Sequence, residues 1–233
     1  MPEAMATKVA YYRPVGLGPG FRECLERFMI GNLYDGKRLA GFLVRQIGKD
    51  GIESSYVQKW VREQALVDPL GNEYKSKTVR YSVQEVLFDF NAPSLAIVRP
   101  GLSFRALLGM LGMACKVEFK PLEWRIDRLC TDICMLIPGA YVCGVVVTDC
   151  FVSPSTFATI RLDSSADVRR EAKRYFKSEQ PRYSSVSIQV RNDGESSPIE
   201  FSRVGRVIFP DNCAEKTRTA IMQYLKSGTA GSD

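Results

Sequence analysis

Apolar and polar positions alternate along this chain in two periods, one of two residues and one near 3.6, and the change from one to the other marks the elements. The clearest stretch is Gln84 to Pro121. EVLFDFN and SLAIVRP are short alternating runs on either side of a turn at Asn91-Ala92-Pro93. Pro100-Gly101 then stops the second run, and Ser103 stands where it would cap a helix with Phe104, Leu107, Leu108 and Leu111 at i, i+3, i+4 and i+7; KVEFKP follows as a third strand. The order is strand, strand, helix, strand. It recurs after Tyr141 as YVCGVVVTDCFV, TFATIRLD, a helix through ADVRREAKRYFK, and YSSVSIQVR. In that second helix Val168, Ala172, Tyr175 and Phe176 form the apolar stripe, and Ser164 with Asp167 resembles a capping box.

The remaining segments read as additions. KVAYYRP is a strand candidate, Gly16 to Gly20 a bend, and Phe21 to Ile30 a helix with Phe21, Leu25 and Phe28 inward. RLAGFLVRQI lies between two turn signals and reads as a strand, whereas Ser54 to Val67 fits strand and helix equally. Asp68-Pro69-Leu70-Gly71-Asn72 is a break, and the polar, basic run from there to Tyr81 reads as a linker. Between the repeats a helix is expected over 123–136. Near the end come a hairpin turn at Arg191-Asn192-Asp193-Gly194, two strands (PIEFS and RVIFP), a helix over 213–226 and a small polar tail.

These elements predict an α+β fold made of two strand-strand-helix-strand units, ferredoxin-like or a related α/β sandwich with mainly antiparallel sheets, behind an irregular N-terminal region. The expected organisation is an α+β region over 1–80, a first unit with an extra helix over 81–140, a second unit with C-terminal strands and helix over 141–227, and a disordered tail over 228–233. One continuous mixed sheet covered by helices is the alternative.

Composition narrows the chemistry more than the fold. The chain of 233 residues has no histidine, so Ser-His-Asp and Cys-His catalysis and histidine-held metals are excluded. Its seven cysteines are an odd set in apolar surroundings, and the opening MPEAMATK has no hydrophobic leader run, which leads to the expectation of reduced thiols in a cytoplasmic protein. The longest apolar run, Tyr141 to Val152, falls short of the roughly 20 residues that cross a bilayer, so no membrane is expected as a partner. A formal charge of +6 favours nucleic acid or an acidic protein as partner.

One element carries a cationic run that only Glu171 and Glu179 interrupt nearby. Arg169, Arg170, Lys173, Arg174 and Lys177 share a helix face opposite the apolar stripe, and Arg182 follows. The arrangement suits contact with a DNA or RNA backbone, because cations that neutralise phosphates supply most non-specific affinity; the plainer reading is a solvated face. Basic and aromatic residues also interleave at Tyr11, Tyr12 and Arg13, and at Lys59, Trp60 and Arg62, where stacking on bases competes with an ordinary core or rim role.

Three other patterns carry less. Glu118-Phe119-Lys120, with Asp89 upstream, has the residue types of the Asp…Glu-x-Lys set of metal-dependent nucleases, although a helix separates the two strands and simple surface alternation explains it too. Gly16, Gly18 and Gly20 lie where a phosphate loop would, but Pro19 removes a donor and no Gly-Lys-Ser/Thr follows. Cys130, Cys134, Cys143 and Cys150 lack Cys-x-x-Cys knuckles and read as core thiols, so no metal and no cofactor is expected.

The cadence EVLFDFNAPSLAIVRPGLSFRALLGML, followed by two strands and a short basic helix, resembles small α+β proteins encoded in bacterial anti-phage defence clusters, over about residues 80 to 227. The resemblance transfers no individual functional residue. It implies an accessory or sensing subunit of a multi-protein system, acting on phage nucleic acid or on a partner enzyme. The leading expectation is a non-catalytic subunit that touches nucleic acid through Arg169 to Arg182. Next comes an assembly subunit whose partner is another protein, and third a metal-dependent nuclease using Glu118 and Lys120.

Overall fold

The computed structural model describes residues 6–101, 103–153, 156–176, 182–190 and 198–226. The elements in chain order are β1 (Thr7–Val15), α1 (Phe21–Gly31), β2 (Ala40–Ile47), β3 (Gly51–Val67), β4 (Glu73–Asp89), β5 (Ser94–Val98), α2 (Phe104–Cys115), β6 (Glu118–Pro121), α3 (Ile126–Leu136), β7 (Tyr141–Ser153), β8 (Thr156–Asp163), α4 (Arg169–Tyr175), β9 (Tyr183–Gln189), β10 (Ile199–Ser202), β11 (Arg206–Phe209) and α5 (Glu215–Lys226). The class is α+β, with mainly antiparallel pairing. Both expected runs of strand, strand, helix and strand occur, as β4-β5-α2-β6 and β7-β8-α4-β9.

The chain divides into two compact units, one made of residues 14–90 and 95–119, the other of 1–13, 91–94 and 120–233. In the first, the strand order is β2-β3-β4-β5. Its core lies where α1 and α2 cover the base of β3 and β4. Leu25 and Met29 of α1 and Leu107 and Leu111 of α2 are buried, as are Phe42, Ile52, Tyr56, Val86 and Phe88 of the strands. Aromatic rings tie the layers together, with Phe28 6.0 Å from Phe42, Phe42 5.3 Å from Tyr56, and Phe21 5.4 Å from Phe88. Ser103 does precede α2, but its hydroxyl caps nothing in the helix. It accepts from Gln84 Nε2 at 2.7 Å, which gives a buried amide a partner.

The segment that fitted either element is strand, and the run read as a linker is strand as well. β3 and β4 pair without interruption from Gly51↔Asp89 to Val67↔Glu73. β2 leaves the outer edge of β3 at Gln58, and β5, only five residues long, is too short to follow β4 outward. Beyond that point β3 and β4 form a bare two-stranded ribbon in which every residue of 60–67 and 73–81 is exposed except Ser76. Its tip is the sequence break, now a compact turn. Asp68 accepts from the backbone N–H groups of Leu70 and Asn72, each at 2.8 Å, and Gly71 takes the left-handed conformation at φ +88°.

In the other unit the strand order is β1-β11-β10-β9-β7-β8, with β6 also beside β1. The core gathers Tyr11, Trp124, Leu129, Ile133, Val145, Ile188, Phe201 and Phe209. Trp124 packs 5.6 Å from Tyr11 and 6.5 Å from Phe201. β10 and β11 are joined by Arg203-Val204-Gly205, a three-residue connection whose last member is left-handed at φ +66°, as such hairpins require. α5 packs through Ile221 and Leu225, and Tyr224 donates to Asp132 of α3 at 2.5 Å. The expected turn at 191–194 and the tail at 228–233 lie outside the described residues.

Candidate nucleic-acid interface

α4 is short, seven residues, and buries one of its own side chains, Ala172. Val168, just ahead of the helix, and Ala172 are buried, and the Val168 N–H donates to Val142 O of β7 at 2.9 Å. Tyr175, expected on the buried stripe, is 64% exposed instead: the helix ends there, and its ring stands edge-on to Phe176 at 5.1 Å. The capping box does not form either. Ser164 gives its own N–H to Cys143 O, so that donor is no longer available to Asp167. Ser164 Oγ accepts from the Ala166 N–H at 3.1 Å, and Asp167 Oδ1 from the Arg169 N–H at 3.0 Å.

The five described cations of the expected basic face fall into two groups. Arg169 is turned back and held by Asp167, through Nε to Oδ1 at 2.9 Å and Nη2 to Oδ2 at 2.5 Å. This bidentate pair holds the Asp167 carboxyl below the usual carboxylate range. Arg170, Lys173, Arg174 and Arg182 are exposed and form no ion pair among the described residues. Lys177 lies outside the described residues.

Between α3 and α4 lies a cleft of about 840 Å³ whose lining includes Asp127, Asp132 and Asp167 facing Arg128, Arg170 and Lys173. Formal charges in the lining cancel, but they are not equally available. Asp132 is taken by Tyr224 and lies 3.7 Å from Arg128, Asp127 is 3.4 Å from Arg125, and Asp167 is held by Arg169. Among the cleft's carboxylates, Glu171 alone has no ion pair within the described residues. Among the described residues the unpaired charges on this side of the unit are therefore cationic on balance, Arg170, Lys173, Arg174 and Arg182 against Glu171.

Because the folded-state value of Asp167 is depressed, its contribution to stability is fully present above the ordinary carboxylate range and fades as pH falls through the depressed value. Solvent reaches about a third of both side chains, so the pair is worth no more than about 1 kcal/mol. Asp167→Asn is expected to flatten the acid limb of a stability-against-pH curve by that amount and to leave the neutral region lower. An acid limb of unchanged steepness would show that Asp167 carries no such linkage.

The other patterns do not assemble into sites. Glu118 and Lys120 are exposed on β6 with Phe119 half-buried between them. Among the described residues no three acidic or thiol side chains gather closely enough to hold a metal ion. Cys130 is buried in α3 and its thiol is pushed up to about 12, mainly by burial, while Cys134 and Cys143 are raised for the same reason. Gly16 and Gly20, at φ +83° and +79°, form the bend that leads into α1.

The ribbon is the surface that sequence reading missed. Lys59, Trp60 and Arg62 stood out as basic residues among aromatics, but their partners across the ladder, Tyr81, Arg80 and Thr78, lay in the supposed linker. Two polar runs of matched length around Asp-Pro-Leu-Gly-Asn were the signal that could have revealed it. Neither a known family model nor a curated protein sequence matches the chain.

Proposed function

We propose that this protein is a non-catalytic accessory or sensor subunit that contacts nucleic acid, in a multi-protein system of the anti-phage kind. The observation that carries the reading is the pairing pattern around α4. Carboxylates occupy Arg169 and Arg128, whereas Arg170, Lys173, Arg174 and Arg182 stand exposed with no ion pair among the described residues. Four like charges against the single unpaired carboxylate of Glu171 raise the local potential and invite a polyanion. A backbone contact of this kind is sequence-independent, which suits a subunit that senses or delivers rather than one that cleaves. In fold terms the same reading takes β4-β5-α2-β6 and β7-β8-α4-β9 as copies of one ferredoxin-like plan, supported by their shared element order.

Binding to labelled DNA and RNA, titrated with salt, tests the interface. Each phosphate contact contributes roughly 0.7 to 0.9 to the slope of log affinity against log salt. Charge reversal of Arg170, Lys173 and Arg174 together is expected to lower that slope by about 2 to 3 and to weaken binding at least tenfold at low salt. An unchanged slope would remove α4 from the interface. No binding by the unaltered chain near physiological salt would leave a protein partner as the explanation of the basic face.

A further inference from the structure

We infer that the outer β3–β4 ribbon is a second nucleic-acid contact, one that enters the major groove of B-form duplex DNA with the face bearing Trp60, Arg62, Gln64, Ser76, Thr78 and Arg80. Directly opposed residues of an antiparallel ladder share a face, so the register sorts the ribbon's side chains without ambiguity. One face carries Trp60 opposite Arg80, Arg62 opposite Thr78, Gln64 opposite Ser76 and Leu66 opposite Tyr74. It contains no carboxylate. The other face carries Glu63 opposite Lys77, an ion pair at 3.6 Å, together with Val61 opposite Val79, Ala65 opposite Lys75 and Val67 opposite Glu73, so that Lys75 and Lys77 are balanced by two carboxylates. Two faces of one ribbon thus differ in kind.

The carboxylate-free face holds the residue types that read base edges, since Arg pairs with guanine, Gln with adenine, and Ser or Thr with either. Trp60 and Tyr74, 51% and 52% exposed, offer flat surfaces toward its two ends. Arg62 and Gln64 are side by side on this face, and an amide of Gln64 with its oxygen toward the guanidinium would accept from Nε at 3.1 Å and Nη2 at 3.0 Å. Arg80 forms no ion pair among the described residues. Dimensions agree as well. A major groove about 12 Å wide admits a two-stranded ribbon. Eight residues of strand extend about 27 Å, most of one helical turn. An isolated ribbon of this length is marginal in water, and its unpaired edges and exposed aromatics are a surface that gains by being covered. Charge selects the cover: Arg62 and Arg80 suit a polyanion, and nothing on their face repels one.

This inference extends the nucleic-acid reading of α4 to different residues, so each can fail alone. It also separates polymers, because the major groove of A-form RNA is too deep and narrow for side chains to read. The experiment uses the full chain with a 30-base-pair DNA duplex, the matching RNA duplex and the single DNA strand, and follows the oligomeric state of the same samples by light scattering. Expected are tighter binding to the DNA duplex than to the RNA duplex, a loss of at least tenfold for DNA with Arg62→Ala/Arg80→Ala, and little change for Glu63→Gln/Glu73→Gln on the other face. The α4 charge reversal, by contrast, should weaken all three polymers. An Arg62/Arg80 variant that keeps its DNA affinity with an unchanged thermal midpoint overturns the inference. So does equal weakening for both duplexes, and so does a dimer of the unaltered chain that the variant dissociates, which would assign the ribbon to a second copy.

Discussion

Phe201→Ala is expected to lower the unfolding free energy by about 3 to 5 kcal/mol, the largest effect of any single truncation considered for this chain. Phe201 is fully buried on β10, between Val186 of β9 and Val207 of β11, with Trp124 against its ring. Truncation removes the ring's transfer energy and leaves a cavity that those strands cannot close without breaking their ladders. Proteins of this size hold roughly 5 to 15 kcal/mol in all, so the variant would lose about a fifth of its margin or more. Urea unfolding followed by circular dichroism measures the loss. Phe201→Leu, which keeps most of the volume, should cost less than about 1.5 kcal/mol. A cost for Phe201→Ala as small as that of the leucine variant would mean that the site is loosely packed.

Gly205→Ala should cost about 2 to 4 kcal/mol, for two reasons that can be separated. The residue sits at φ +66°, where any side chain is strained by about 1 to 2 kcal/mol. An added Cβ would also lie 2.6 Å from Leu122 O and 2.8 Å from Tyr11 O, both backbone atoms. Tyr11 can hardly move away, because its N–H donates to Gly205 O at 2.7 Å and its carbonyl accepts from the Leu122 N–H at 2.9 Å. Gly71 supplies the comparison. At φ +88° with nothing within 4 Å of an added Cβ, Gly71→Ala carries the conformational strain alone. The difference between the two variants in thermal or urea unfolding measures the close approach, and equal costs would show that the hairpin shifts to make room.

Where one side of an element is buried, the chain declared it. α1, α2, α3 and α5 lie where 3.6-residue spacing put them, to within a few residues at their ends, and β2, β5, β10 and β11 occupy the runs that alternate between turn signals. The outer halves of β3 and β4 were illegible for the converse reason. Alternation records a buried face, and a ribbon exposed on both faces leaves no record; its strands follow from continuation of the ladder begun at Gly51↔Asp89. The α4 cations were legible as a helix face because Val168 and Ala172 anchor the opposite side. What the spacing could not show was the division among them, which rests on the side-chain pairing of Arg169 with Asp167. Tyr175 was misread because spacing does not say where a helix stops.

Burial holds Cys115 and Cys130 in their neutral thiol form, each pushed up to about 12, and the two belong to different compact units. Since only the thiolate attacks an alkylating reagent, either residue reacts appreciably only while its surroundings are open to water. The chain thus carries a built-in clock for each half. Pulsed alkylation resolved by mass spectrometry would time the breathing of the helical layer containing α2 separately from that of the layer containing α3, with native residues as the reporters.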